Sequence, residues 1–222
     1  LKTIATFGKV HVVCNNAGVG AGGPMGSYDE RDWQWCVDVN LFGVVHGMEV
    51  FAPLIESHGE GGHFVNTASM AGWLGVPNME PYCASKFAVV AMSEGWAMQL
   101  NPKNIGVSIL CPGFVQTRIH ESQRNKPARY GSAENVQLGL GDSREQAAAM
   151  VNSGIPVEPV ANRVVEAIRD NDLYVFTHVE YRPLVEMRMT QALAAFDKSA
   201  QSKALSVLAS RELVTSLPQQ DQ

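Results

Sequence analysis

Tyr82 and Lys86 stand four residues apart, inside a stretch whose pattern predicts a helix from about Met79 to Leu100. Side chains at positions i and i+4 share one helix face. A tyrosine with its ordinary pKa near 10 is almost inert as a base at neutral pH. A lysine ammonium one turn away favours the phenolate by charge attraction and so lowers the pKa of the phenol. The pair therefore predicts a general acid or base, although Y-x-x-x-K alone also occurs by chance on solvated helix faces.

Two further polar residues precede this pair. Ser69 lies 13 residues before Tyr82, just past a predicted strand at His63–Thr67. That position puts its hydroxyl at the carboxyl end of a sheet, where open α/β sheets bind ligands; the alternative is an ordinary turn hydroxyl. Asn40 interrupts a helical region predicted from Ser27 to about Ser57. Its amide could order a buried water, or Asn40 could simply break the helix.

Two loops follow predicted strands. Asn16, Ala17 and Gly18 come after a strand at Val10–Cys14, and Pro112 and Gly113 stop a strand at Gly106–Cys111. The second loop continues through Val115 to Thr117, whose hydroxyl could cap a helix, hold a ligand, or do both.

A glycine-rich run satisfies the dinucleotide pattern G-x-G-x-x-G between Gly18 and Gly23. That motif requires its last glycine inside a helix whose N-terminus faces a pyrophosphate. Here Pro24 follows, and a capping box of Ser27 and Glu30 predicts that the helix begins later. We therefore interpret the run as a flexible loop on the substrate side.

The remaining elements complete an alternation of strands and helices. We predict a helix at Val160–Asp170, a strand at Leu173–Thr177 and a helix at Pro183–Phe196. Such alternation predicts an α/β fold with a parallel sheet covered on both faces. We expect a single domain over residues 1–200 with a lid at about 117–156, and a C-terminal extension or tail at 201–222.

Together these motifs, in this order, resemble the short-chain dehydrogenase/reductase family from about residue 8 to residue 177. The resemblance implies a doubly wound, Rossmann-like sheet and a hydride transfer between a nicotinamide cofactor, NAD or NADP, and a secondary alcohol or ketone. It assigns catalytic roles to Ser69, Tyr82, Lys86 and Asn40. In the family pattern the tyrosine exchanges the oxygen's proton, the serine fixes that oxygen, and the lysine, with a water held by Asn40, returns protons to solvent. The implied cofactor-binding residues are Asn16, Ala17, Gly18, Tyr82, Lys86, Pro112, Gly113, Val115 and Thr117.

Candidate substrate contacts lie near these motifs, and they are Met70, Trp73, Met79, Phe114 and His120. If they line the site, its walls suit a bulky hydrophobic or aromatic substrate; alternatively, several of them pack the core. The stretch from Arg118 to Tyr130 also resembles the lid of bacterial dehydrogenases that oxidise aryl-ether benzylic alcohols at Cα.

Composition narrows the function classes. The 222 residues carry 17 Lys+Arg and 22 Asp+Glu, a net charge of −5, which argues against a nucleic-acid partner. We find no apolar run of about 18 residues and no secretory leader, so we expect no membrane partner and a cytoplasmic location. The four cysteines contain no C-x-x-C, which predicts buried reduced thiols, and the six histidines lack paired spacing, so we expect no metal site.

The sequence departs from the family at its start. The phosphate-binding glycine loop and the first βαβαβ half should precede residue 8, and we expect that the N-terminal half is largely absent from these residues. A strand at Val10–Cys14 would then form an unprotected sheet edge. The alternative function is a catalytically inactive member that senses a cofactor or acts as a scaffold. The resemblance also implies a homodimer or homotetramer built on the two long helices.

Overall fold

The computed structural model describes residues 2–133, 138–141 and 143–206. Most of the predicted tail, residues 207–222, and parts of the predicted lid fall outside these ranges. The chain divides into two compact units, Leu1–His178 and Val179–Gln222. The single domain over residues 1–200 stays a prediction.

The first unit is built on four parallel strands in the order β1-β2-β3-β4. The strands are β1 (Val12–Asn15), β2 (Gly62–Thr67), β3 (Ile105–Cys111) and β4 (Tyr174–Phe176). β1 begins two residues later than predicted and includes Asn15, whose amide donates to Asn66 Oδ1 on β2 at 2.8 Å. The parallel sheet and the α/β class are confirmed.

Helices cover both faces of this sheet. Successive strand residues point to opposite faces, and on β2 Val65 packs against the helix α6 (Val157–Asp170), in a cluster with Val160 and Ala167. On the other face, Asn66 donates to Ser93 Oγ of the helix α4 (Glu80–Leu100) at 2.9 Å. β3 is buried along its whole length. The doubly wound arrangement is confirmed.

The first long helical region starts differently from the prediction. The helix α2 (Glu30–Val37) has Asp29 as its N-cap, because the Asp29 carboxylate accepts from the backbone N–H of Arg31 at 2.9 Å. Ser27 instead donates its hydroxyl to Pro24 O at 2.6 Å, so the predicted capping box is wrong. The interruption near Asn40 is confirmed as a π-helical turn at Asp38–Phe42.

The other helices of the first unit lie close to their predicted places. α1 (Lys2–Phe7) is followed by Gly8, whose φ of 79° closes the helix. α3 (Gly43–His58) follows the π-helical turn, and α5 (Arg144–Asn152) lies in the predicted lid beside short 3-10 turns. In the second unit, α7 (Arg182–Ala200) is longer than predicted.

One helical stretch within the described residues, Glu30–His58, is long and apolar enough by length and composition to cross a membrane. Its Trp35, Asn40 and Ile55 are buried within the protein, and α3 packs on β1 and β2. Since only 22% of the apolar window is buried, these contacts cover one face of the stretch.

The cysteine prediction is right for three thiols and wrong for one. Cys36, Cys83 and Cys111 are buried, whereas Cys14 on β1 is exposed. Among the described residues β1 has a strand neighbour on one side only, and its side chains alternate between exposed and half-buried. The exposed edge leaves the Cys14 thiol accessible.

The predicted lid is fixed to α2 by a buried ion pair. The side chain of Lys126 is only 2% exposed and binds the carboxylate of Asp32. Its ammonium also donates to Ser132 O at 3.0 Å and lies 5.8 Å from the centre of the Trp35 ring. Further along the lid, Tyr130 Oη donates to Asp38 Oδ2 at 2.7 Å. The segment around Lys126 is therefore part of the packed unit.

We predict that Asp32→Asn lowers the free energy of unfolding by about 3 kcal/mol, because it leaves the buried Lys126 ammonium without its counter-charge. Urea unfolding followed by tryptophan fluorescence measures this loss. Glu121→Gln is the control, since it removes an exposed pair with Arg118 and should leave the free energy of unfolding nearly unchanged. Equal losses in the two variants would contradict a buried pair that holds the lid.

Candidate active site

The carboxyl ends of three neighbouring strands bring the predicted motifs together. The loop after β1 meets β2 where Thr67 Oγ1 donates to Asn16 Oδ1 at 3.1 Å. The turn after β2 meets the loop after β3 where Met70 N donates to Pro112 O at 2.9 Å. Parallel strands end at the same sheet edge, so these loops form one site.

Ser69 is held in place by the turn that it opens. Its hydroxyl accepts from Ala71 N at 3.1 Å and so caps the 3-10 turn at Met70–Gly72. The same oxygen lies 3.4 Å from Pro112 O, its acceptor. Ser69 is therefore both a turn hydroxyl and a member of this site.

Tyr82 and Lys86 lie on the first turns of α4, and both are buried. The Lys86 ammonium donates to Thr67 O at 2.7 Å, at the end of β2, and lies 5.6 Å from the centre of the Tyr82 ring. The side chain thus bridges the helix and the sheet.

Burial dominates the protonation of both groups. It raises the pKa of Tyr82 to about 12, and a hydrogen bond with Ser69 offsets only part of that rise. It lowers the pKa of Lys86 to about 8. The expectation that Lys86 lowers the tyrosine pKa is wrong for this arrangement, because loss of water disfavours both charged forms.

Asn40 anchors the loop after β1. Its Oδ1 accepts from Val19 N at 2.7 Å, and its Nδ2 donates to Val19 O at 2.9 Å and to Ser85 Oγ at 3.1 Å. Ser85 in turn donates to Tyr82 O at 2.7 Å. These bonds use both amide hydrogens, so the side chain serves to connect the loop to α4. The sequence predicted a water-holding role and missed this one.

The loop after β3 depends on a residue that sequence reasoning missed. His178 Nδ1 accepts from Gly113 N at 3.0 Å, and its Nε2 pairs with Phe114 O at 2.9 Å. This pattern assigns the proton to Nε2. His178 follows β4 directly, and its position after a strand of the same sheet was the available signal. Further on, Val115 pairs with Ile155, and the exposed Thr117 Oγ1 lies 3.4 Å from Ile119 N.

Apolar side chains surround Tyr82. Met79 is buried in the same cluster as Tyr82, and Ile119 and Leu140 from the predicted lid pack against it. Met70 is buried next to Ser69, and Phe114 is half-buried.

Two of the predicted substrate contacts differ from each other in their surroundings. Trp73 donates its indole N–H to Cys111 Sγ at 3.2 Å, and its ring lies edge-on to Tyr174 and Phe176 at 5.4 and 5.5 Å. These contacts make Trp73 a packing residue of the sheet, which is the alternative that the sequence left open. His120 has a buried Nδ1 with no hydrogen-bond partner among the described residues.

The glycine-rich loop is packed. Gly20 N donates to Ser122 Oγ at 3.0 Å, and Gly23 N donates to Asn78 O at 2.8 Å. A Cβ at Gly20 would lie 2.1 Å from a methyl of Leu138, so the lid touches this backbone. As expected, the loop does not lie at a helix N-terminus. We predicted that it is flexible, however, and this prediction is wrong because the loop is held on several sides. A cavity of about 290 Å³ lies beside it, between Ala17 and Tyr130.

Known proteins resemble this chain over most of its length. The model of the family described as short chain dehydrogenase matches residues 1–128. A "CLA biosynthesis dehydrogenase/reductase" of Lactiplantibacillus plantarum is 34% identical over 193 residues, covering 85% of this chain and 68% of the relative. A "C alpha-dehydrogenase" of Sphingobium sp. is 33% identical over 187 residues, covering 82% of this chain and 59% of the relative.

Solved structures point the same way. A short chain dehydrogenase/reductase from Burkholderia phymatum in complex with NAD superposes with a TM-score of 0.82 and 38% identity, covering 87% of this chain and 70% of that one. The apo form of LigO from Sphingobium sp. strain SYK-6 gives a TM-score of 0.69 and 27% identity, covering 94% and 67%. The chain belongs to the short chain dehydrogenase family, and the predicted family, Rossmann-like fold and likeness to Cα-dehydrogenases are confirmed.

We predict that Lys86→Met stabilises the fold at pH 7 by roughly 1 to 3 kcal/mol. The pKa of Lys86 falls from 10.5 to about 8 on folding, and each unit is worth about 1.4 kcal/mol. The unfolded chain holds this proton more tightly, so the wild type gains stability as the pH rises from 8 to 10.5, and the advantage of the variant shrinks over that window.

Urea unfolding of both proteins at pH 7 and pH 10 measures this difference. Lys103→Met is the control, because Lys103 pairs with Glu56 on the surface. A Lys86→Met protein that is less stable than the wild type at pH 7 would show that the buried charge is well compensated.

Proposed function

We propose that the chain carries the catalytic part of an oxidoreductase that transfers a hydride between NAD or NADP and a secondary alcohol or ketone. The observation that carries the proposal is the meeting of Ser69, Tyr82 and Lys86 at one buried sheet edge. The chain spans 59 to 68% of the two curated relatives described above, whose names are those of dehydrogenases or reductases. We extend the proposal to a homodimer or homotetramer in the cytoplasm.

The residues present fit the nicotinamide end of such a cofactor. Among the described residues the Lys86 ammonium donates to Thr67 O, and an ammonium has three donors. A Cβ at Gly18 would lie 3.6 Å from Lys86 Nζ, so the loop after β1 lies beside this ammonium. We propose Lys86, Tyr82, the loop of Asn16, Ala17 and Gly18, and the loop of Pro112, Gly113, Val115 and Thr117 as the binding residues. When bound, the nicotinamide supplies or accepts the hydride.

Side chains of this protein then transfer the proton. A phenol with a pKa of about 12 is protonated at neutral pH, so Tyr82 suits the role of a general acid toward a carbonyl oxygen in reduction and receives that proton back in oxidation. The Ser69 hydroxyl shares a hydrogen bond with Tyr82 and would hold the same substrate oxygen. Lys86, with a pKa of about 8, is the group best able to exchange a proton near neutral pH. Asn40 contributes by keeping the loop and α4 in register.

The surroundings of Tyr82 favour a bulky apolar substrate. Met79, Ile119 and Leu140 offer thioether and aliphatic surface, and Met70 and Phe114 flank the two neighbouring loops. The unpartnered Nδ1 of His120 supports a hydrogen bond to a polar group of the substrate. We propose an aromatic or similarly hydrophobic alcohol or ketone that carries a second polar substituent.

We predict that Tyr82→Phe lowers turnover at least about 1,000-fold, because it removes the proton donor while keeping the ring. The assay follows nicotinamide absorbance with NAD and with NADP against a panel of aryl and alicyclic alcohols. Tyr174→Phe is the control, since its hydroxyl binds Glu94 at the surface. Unchanged turnover in Tyr82→Phe would overturn the mechanism, and a full-length wild type that binds NAD or NADP but turns over no substrate would favour the inactive-member alternative.

We predict that His120→Ala raises KM about tenfold for the preferred aromatic alcohol and leaves kcat nearly unchanged, because it removes one hydrogen bond of about 1 kcal/mol or more to bound substrate. Steady-state kinetics over the same panel measure the effect. Trp73→Phe is the matched control, since its ring packs on β4, and it should leave the ranking of substrates unchanged. A change of ranking in Trp73→Phe, with none in His120→Ala, would reverse our assignment of the two residues.

A further inference from the structure

Three metal-ligating side chains meet at the amino edge of the sheet. His11 precedes β1, His58 is the last residue of α3, and Glu60 precedes β2. One ligand atom from each lies within 4.8 Å of the other two. In a parallel sheet the amino edge is opposite the carboxyl edge, so this cluster is separate from the site that contains Ser69.

His58 is oriented as a metal-binding histidine would be. Its Nε2 lies 2.9 Å from Val10 O, a group that can only accept, so Nε2 carries the proton. Nδ1 then bears the lone pair, and the contact it receives, from Glu60 N, is long at 3.2 Å. A ring N–H donated to a backbone carbonyl is the usual arrangement behind a ligating imidazole, because it fixes the tautomer and the ring plane.

The other two ligands face the same space. His11 Nε2 lies 2.8 Å from Glu60 Oε2, and the two imidazole rings have their centres 4.6 Å apart. Gly59 and Gly61, with φ of 67° and 79°, turn the chain so that Glu60 returns toward His11.

A neighbouring cation, the Lys9 ammonium, shares the Glu60 carboxylate with this cluster. Lys9 binds Glu60 through Oε1, while Oε2 is the oxygen that faces His11. The ammonium and a metal ion can therefore use different oxygens of the same carboxylate. The alternative is a surface ion-pair network of Lys9, His11 and Glu60 with no metal.

We propose that His11 Nε2, His58 Nδ1 and Glu60 Oε2 bind a divalent zinc-type metal ion, with water as the fourth ligand. Two imidazoles and one carboxylate are a donor set for zinc, whereas magnesium and calcium prefer oxygen ligands throughout. The ion replaces two hydrogen bonds, the one between His11 and Glu60 and the one that His58 Nδ1 accepts from Glu60 N. It joins the start of β1 to the end of α3 and the start of β2, so its binding should stabilise the fold.

The test is a calorimetric titration of the purified protein, made without a histidine tag, with zinc chloride and separately with magnesium chloride. We expect one zinc per chain, a rise in melting temperature with zinc, and no response to magnesium. The protein carries Cys14→Ser in every sample, because this exposed thiol could bind zinc by itself. The readout does not depend on turnover, so the proposed enzymatic function can fail without affecting it.

Four variants separate a metal site from an ion-pair network. His11→Ala and Glu60→Gln should each weaken zinc binding at least tenfold, whereas His46→Ala, an exposed histidine elsewhere on α3, should not. Lys9→Met removes the ion pair and keeps all three ligands, so it should bind zinc as tightly as the parent or more tightly. Absence of zinc binding, or zinc binding that survives both His11→Ala and Glu60→Gln, overturns the proposal.

Discussion

The buried ammonium of Lys86 is the constraint on which the candidate active site depends. Burying a charge is costly unless it is paired or hydrogen-bonded. Here the described partner is a backbone carbonyl, Thr67 O, and that carbonyl points to Lys86 because β2 ends at this residue and the chain turns toward Ser69. Helix α4 and the end of β2 must therefore stay in register for the charge to be tolerated. The positions of Ser69, Tyr82 and Lys86 therefore all depend on how α4 packs against the end of β2.

A second set of hydrogen bonds ties the loop after β1 to α4. Asn40 lies in a π-helical turn, where the extra residue per turn redirects its side chain from the helix surface into the protein. Its amide then bonds to Val19 on one side and to Ser85 on the other. The interruption of the helix is thus the means by which the loop after β1 is tied to the helix of Tyr82. An uninterrupted helix would place position 40 on a different face.

Much of this could be predicted from the sequence, and the failures have specific causes. The spacing of Ser69, Tyr82 and Lys86 is local enough that strand and helix periodicity place them correctly. The pKa of Tyr82 could not be predicted, because it depends on how deeply α4 is buried. The packing of Trp73 against β4 could not be predicted, because an aromatic residue near a site suits both cleft and core. His178 and the cluster of His11, His58 and Glu60 are formed by segments distant in sequence, so no spacing rule could find them.

The lid and the glycine-rich loop belong to the same packed unit as the catalytic tyrosine candidate. Leu138 lies against the backbone of Gly20, Ser122 accepts from the same residue, and Ile119 reaches the cluster of Tyr82. A side chain at position 20 would displace the lid, which explains why a glycine is suitable there without any role in phosphate binding. The buried pair of Lys126 and Asp32 fixes the other end of the lid to α2. Under the proposed function, changes at the lid residues that pack against the cluster of Tyr82 would alter substrate choice while Ser69, Tyr82 and Lys86 stay in place.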